Sequence, residues 1–173
     1  MRKNRIRQIA VLSILLAMEI VLSRFLSFSV WNMKIGLSFV PLMLAAYLYG
    51  PIGGILVGGL GDLIGALAFP IGPYFPGFTA TAAFSGFVFG LALNKKCSFM
   101  RILISVLFTQ LINGLLLNTY WISVLYGSPF DKLFITRLPE AAIMIVLEIV
   151  FAELIFVKFD LLKKLKLDSK QGA

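Results

Sequence analysis

Histidine is absent from this chain of 173 residues, cysteine occurs once, at Cys97, and Asp and Glu together number 8. Without imidazole there is no histidine base and no histidine ligand for zinc or haem, so metal centres and hydrolytic triads are set aside. A single cysteine leaves no internal disulfide. Charge of either sign is scarce: 14% of the residues are Asp, Glu, Lys or Arg, where soluble domains carry about 25%. The chain also has no Gly-Lys-Ser/Thr phosphate loop, so it does not read as an ATPase.

What remains is apolar. Hydrophobic residues make up 60% of the chain and the mean hydropathy is +0.96, which places it among integral membrane proteins surrounded by lipid. Its length accommodates about six helices of 20 residues with short connections, as one transmembrane domain and no soluble one. The formal charge is +8. In a membrane protein such an excess sets orientation, and nucleic acid is discounted as a partner.

Punctuation divides the apolar sequence into an all-α bundle of six expected spans, near 6–28, 35–49, 51–69, 79–93, 102–126 and 138–157. The basic amino terminus resembles a secretory signal, but no small-residue cleavage site follows and the first run is read as a retained helix. Gly50-Pro51 separates the second span from the third. Pro70 to Phe78, with three prolines, two glycines and three aromatics, cannot continue a helix and reads as an ordered cap. Six spans put both termini on one side. The cations at 2–7, 95–101 and 158–170 then place twelve on that side, leaving Arg24, Lys34, Lys132 and Arg137 for the other. The positive-inside rule makes the side with twelve cytoplasmic and the cap external, in a multi-pass protein of the cell membrane.

Gly54, Gly58, Gly61 and Gly65 fall on one narrow helical stripe, with Asp62 about 80° from its origin. Small residues let membrane helices approach closely. A carboxylate at that depth costs roughly 2.5–3.5 kcal/mol unless it faces a cavity or a partner, which makes Asp62 a functional candidate. The four outward cations are disfavoured by topology and read together as receivers of an anion. The competing account pairs Lys132 with Asp131 and Arg137 with Glu140 as ordinary ion pairs. Around them lie flat side chains and amides: Trp31, Asn32, Tyr74, Phe75, Phe78, Asn118, Tyr120, Trp121 and Tyr126. An interfacial aromatic belt explains any one of these; Asn118 inside an apolar run still needs a hydrogen-bonding partner. A buried carboxylate for ring N–H groups, aromatic surfaces for stacking and cations for a carboxylate tail suit a planar heterocycle with an anionic end, such as folate. Glu19, Glu140, Glu148 and Glu153 receive no role at this point, Glu148 and Glu153 being expected to meet Lys158 or solvent. A near-dinucleotide pattern, Gly59-x-Gly61 then Gly65, is one residue too long and lies inside an apolar helix.

The runs Lys34 to Pro41, Gly50-Pro-Ile-Gly-Gly54, Gly58-Gly-Leu-Gly-Asp62, Phe69 to Thr79 and Leu117-Asn-Thr-Tyr-Trp121 resemble the substrate-binding S components of energy-coupling factor (ECF) vitamin transporters, most closely the folate-specific branch. That resemblance implies a six-helix, non-catalytic subunit of the bacterial plasma membrane. It would capture its vitamin from outside and dock on a transmembrane coupling protein, EcfT, joined to two cytoplasmic ATPases. No cofactor is implied. Docking would use a small-residue face of the first helix. Ala10, Ser13 and Ala17 share such a face; the family's Ala-x-x-x-Ala step is here Ser13 to Ala17, with Ala10 one turn earlier. The expected ligand residues are Asp62 for the ring N–H groups, Tyr74, Phe78 and Trp121 around the rings, Asn118 beside them, and Arg24, Lys34 and Arg137 toward the carboxylates. Two alternatives stand: an S component for riboflavin or a pyridoxine-like ring, and a stand-alone proton-coupled carrier using Asp62 and Glu140.

Overall fold

A computed structural model describes residues 2–30, 33–94 and 97–158. Trp31, Asn32, Lys95, Lys96 and the basic tail from 159 onward lie outside the described residues. The described chain is helical apart from one short hairpin: α1 (Arg2–Arg24), β1 (Phe28–Val30), β2 (Met33–Ile35), α2 (Phe39–Ala68), α3 (Pro76–Leu93), α4 (Phe99–Phe108), a π-helical stretch Thr109–Leu117, α5 (Asn118–Tyr126) and α6 (Phe130–Glu153), which closes in a π-helical turn Leu154–Lys158. Among the described residues four helical runs are long and apolar enough to cross a membrane: Arg5–Arg24, Phe39–Ala68, Pro76–Leu93 and Phe99–Tyr126. Exposed Leu67, Phe84, Leu91, Ile104 and Val146 give the outer surface the apolar character that lipid contact requires.

Several boundaries differ from those read in the sequence. The first helix stops at Arg24, short of the expected Phe28, and Phe28 pairs instead in an antiparallel hairpin, opposite Ile35, with Val30 opposite Met33. The last helix begins at Phe130, after Gly127 in the left-handed conformation and Pro129, so the polar segment before Leu138 is its first two turns. Pro129 supplies an extended residue just ahead of the helix, and Asp131 favours its positive amino end.

Gly50 interrupts α2 with φ 72° and ψ −158°, a combination that L side chains rarely adopt, and Pro51 opens the second limb. A methyl built at Gly58 would meet Leu42 Cδ1 at 3.0 Å and one at Gly53 would meet the Ala45 carbonyl, so limbs 39–49 and 51–68 run antiparallel. The expected glycine stripe divides its work between two neighbours. Gly54 and Gly58 lie against the backbone of α3 at Gly86 and Ala82, whereas Gly61 and Gly65 make room for the side chains of Glu19 and Arg24 on α1. The main core gathers toward the Gly50 end: Met43, Ala46 and Tyr47 of α2 pack with Phe89 and Leu93 of α3, Ile102 and Val106 of α4, and Ala152 and Phe156. At the opposite, hairpin end, polar side chains replace this apolar packing, and a cavity opens.

Candidate binding cavity

The cavity has a volume of about 440 Å³ and reaches from the hairpin end into the middle of the bundle. Arg24, Lys34, Asp62, Tyr74, Phe78, Asn118 and Arg137 all contribute to its wall. Trp121 does not. Its indole N–H donates to Thr81 Oγ1 at 3.0 Å and its ring leans on Phe75, with centroids 5.5 Å apart. Asn118 and Trp121, both expected at the ligand, therefore divide, one into the cavity and one behind the cap.

Charges concentrate at the hairpin end. Arg24 Nη2 lies 3.3 Å from Asp62 Oδ1 and donates to the Asp62 carbonyl as well. The other carboxylate oxygen, Asp62 Oδ2, accepts the Thr79 hydroxyl at 2.7 Å. Both oxygens expected to await ring N–H groups are thus engaged with protein. Arg137 and Glu140 form the ion pair foreseen as the competing account, Nε to Oε2 at 3.2 Å across one turn of α6. The N–H does not point along that line, so both atoms remain without a hydrogen bond. Glu140 Oε1 accepts the backbone N–H of Lys34 at 2.9 Å, which fastens β2 to α6.

Lys34 stands at the hairpin, among Arg24, Glu19, Asp62 and Glu140. Burial pushes its ammonium below the usual lysine range and Arg24 adds repulsion, while the three carboxylates oppose the shift. An anion entering beside it would favour the charged form. Lys132, the fourth outward cation, is exposed on α6.

Deeper in the cavity are residues that the sequence reading left without a role. Glu148 is buried to 3% exposure, away from the solvent it was expected to meet, and accepts the Gln110 amide at 2.6 Å. Asn113 donates to Ser85 Oγ at 2.8 Å. Glu19 and Glu140 belong to the wall as well. The legible signal for Gln110 and Asn113 was a pair of amides inside an apolar run, the same signal that singled out Asn118. Their stretch is π-helical, a form that recurs at functional sites because it turns side chains off the regular helical register.

On the opposite side of the molecule Ala10, Ser13 and Ala17 are all exposed on α1, next to exposed Ile6, Ile14 and Met18. That face carries small and apolar residues, with exposed Arg7 at its amino-terminal edge.

Comparison with known proteins agrees with this architecture. Residues 7–156 match the family model described as ECF transporter, substrate-specific component. The folate transporter FolT of Clostridium novyi is 37% identical over 134 residues, covering 77% of this chain and 78% of that protein. FolT of Leuconostoc mesenteroides is 35% identical over 127 residues, 72% of this chain and 68% of that one. A crystal structure of FolT bound with folic acid superposes with a TM-score of 0.82 at 28% identity, covering 88% of this chain and 93% of that chain.

Proposed function

The chain belongs to the substrate-specific components of ECF transporters, and from that premise we propose that it captures folate outside the cell and releases it inward when docked on a coupling module. Support comes first from the cavity, where Arg24, Lys34 and Arg137 gather toward the hairpin end beside Tyr74 and Phe78. Its likeness in sequence and fold to FolT proteins favours the same ligand. In this reading the glutamate carboxylates of folate lie among the three cations at the hairpin end. Tyr74 and Phe78 flank the rings, the buried Asn118 Oδ1 receives a ligand N–H, and Asp62 holds Arg24 in place.

The assembly part of the proposal is a single transmembrane domain with six spans, counting the two limbs of α2 separately. Both termini face the cytoplasm, as the cation count favours. Energy would come from two partner ATPases joined to the transmembrane coupling protein EcfT, reached through Ala10, Ser13 and Ala17. An exposed face of small residues lets another helix approach closely.

Two experiments test these parts separately. Calorimetric titration of the detergent-solubilised chain is expected to give tight one-to-one binding of folate, without ATP or partners, and none of riboflavin or biotin. Binding of riboflavin in place of folate would overturn the ligand. Ser13→Trp, on the open face of α1, is expected to leave folate affinity within about twofold while folate uptake by cells expressing the whole transporter falls at least tenfold. Undiminished uptake would remove this face from docking.

A further inference from the structure

A second groove lies outside the central cavity, on the outer surface between α3 and α4, with a volume of about 750 Å³. Each helix contributes one stripe. Phe84, Phe87 and Leu91 come from α3, and Arg101, Ile104 and Phe108 from α4. Residues three and seven positions apart share a helical face, so each stripe covers two turns, about 10 Å of helix. At one end the rings of Phe84 and Phe108 meet, with centroids 6.4 Å apart. Because α3 and α4 are consecutive helices with a short connection, Leu91 lies toward the other end, with Arg101. Gly90, on the groove's floor, packs on the backbone of Pro51, where the second limb of α2 begins.

The chemistry changes along the groove. Its body is apolar, and the hydroxyl there, Ser105 Oγ, donates to the Ile102 carbonyl at 2.9 Å, so the body offers an occupant burial and dispersion contact. At the mouth stand the Arg101 guanidinium and the Asn94 amide. Between Asp62 and Asp131 the sequence has no Asp or Glu, whereas Lys95, Lys96 and Arg101 cluster where α3 gives way to α4. Positive charge at the mouth of an apolar groove between membrane helices suits an anion that carries a hydrocarbon chain. Another helix suits it poorly. Close helix association in a membrane relies on small side chains, and the exposed rim here is Phe84, Phe87, Leu91, Ile104 and Phe108. A flexible chain threads between such side chains where a rigid helix is held off.

We infer that this groove binds one anionic phospholipid of the cytoplasmic leaflet, its phosphate at Arg101 and part of one acyl chain running toward Phe84 and Phe108. The planar guanidinium presents paired N–H groups that match two phosphate oxygens. The choice of leaflet follows from the orientation proposed above, and the site is independent of the ligand in the central cavity. An occupied groove ties α3 to α4 beside Pro51, at the bend of α2.

Native mass spectrometry tests the site on the delipidated full chain in detergent, titrated with phosphatidylglycerol and with phosphatidylcholine of identical acyl chains. The wild type is expected to retain one phosphatidylglycerol at a concentration at least fivefold below that needed for phosphatidylcholine. Arg101→Gln should reduce this preference below twofold, while Arg5→Gln, which removes an exposed cation from α1, should leave it unchanged. Leu91→Trp, which fills the groove and keeps the cation, should weaken retention of phosphatidylglycerol at least fivefold. Leu91 and Arg101 are both exposed, so neither change disturbs the core, and a monodisperse elution profile is required of each variant before lipid is added. Glycerophosphoglycerol, the same headgroup without chains, is expected not to compete. Equal retention of the two phospholipids by the wild type would overturn the proposal, as would undiminished preference in Arg101→Gln or undiminished retention by Leu91→Trp. An equal loss in Arg5→Gln would overturn it in favour of a diffuse basic surface, and full competition by the chainless headgroup in favour of a bare anion site. A dimer that excludes lipid would assign the groove to a second copy of this chain and overturn it as well.

Discussion

Replacing Arg24 with Gln is expected to raise the folate dissociation constant about 100-fold, on the order of 3 kcal/mol, with little change in overall fold. The guanidinium is 11% exposed and reaches Asp62, 23% exposed, from the neighbouring helix. Its Nε is buried without a partner, so one donor of its planar fork remains for a carboxylate of the ligand. Truncation removes that donor and also leaves Asp62 beside the ligand's own negative charge. Asp62→Asn should cost less, about tenfold, because the Arg24 charge survives while its alignment loosens. If Asp62 acts through Arg24, the double variant will bind folate about as weakly as Arg24→Gln alone, whereas independent contacts would multiply the two losses. Titration of the three variants decides between these accounts. An Arg24→Gln protein that binds folate like the wild type would detach the hairpin end from ligand binding.

The balance of charge in the cavity sharpens that expectation. Arg24, Lys34 and Arg137 share the cavity lining with Glu19, Asp62, Glu140 and Glu148. The cations are therefore not an open anion trap; each stands close to a carboxylate of the protein, and an incoming carboxylate must compete with Asp62 and Glu140. Such prepairing holds the long cationic side chains in place before the ligand arrives, which lowers the ordering cost of binding. It also keeps unpaired charge out of a low-dielectric interior when the cavity is empty.

How much of this was legible in the sequence depended on the kind of signal. Charges placed against topology, Arg24, Lys34 and Arg137, and the lone acid of the glycine-rich helix, Asp62, stand out because each is costly in a membrane, and all four reach the cavity wall. Partnerships were less legible. Whether Asp62 meets a ligand or Arg24 depends on the distance between α1 and α2, which is set by Gly61 and Gly65, and no spacing rule supplies it. Trp121 was misplaced for a related reason: helical spacing puts it near Asn118, but Thr81 of α3 captures its indole N–H, a partnership that no spacing rule supplies. Glu148 was left to solvent because sequence gives its height along α6 without the amide that faces it. In the fold, the hairpin at Phe28–Ile35 was hidden because its strands, three residues each, are too short to show alternation and fall almost wholly between the first two expected spans.

The largest structural effect is expected at Gly54, where α2 and α3 touch backbone to backbone. Gly54→Ala raises intrinsic helix propensity by roughly 1 kcal/mol, yet its methyl would overlap the Gly86 carbonyl, and no rotamer can move a backbone oxygen aside. Gly59→Ala offers the control on the same helix. Its methyl meets the Ala83 side chain at 3.2 Å, a tight contact relieved by a few tenths of an ångström. Both variants gain the same propensity, so their difference measures packing. Gly54→Ala should lose about 3 kcal/mol or more of stability, or fail to purify as a monodisperse species, while Gly59→Ala stays within about 1 kcal/mol of the parent. Thermal unfolding in one detergent tests the pair, and equal melting temperatures would show that the helices separate without cost. Function should follow in the same order. Gly58 and Ala82, one turn along the same contact, both line the cavity, so spreading these helices widens the wall on which the ligand rests. A Gly54→Ala protein that still folds is therefore expected to bind folate at least tenfold more weakly, even though no atom of residue 54 lines the cavity.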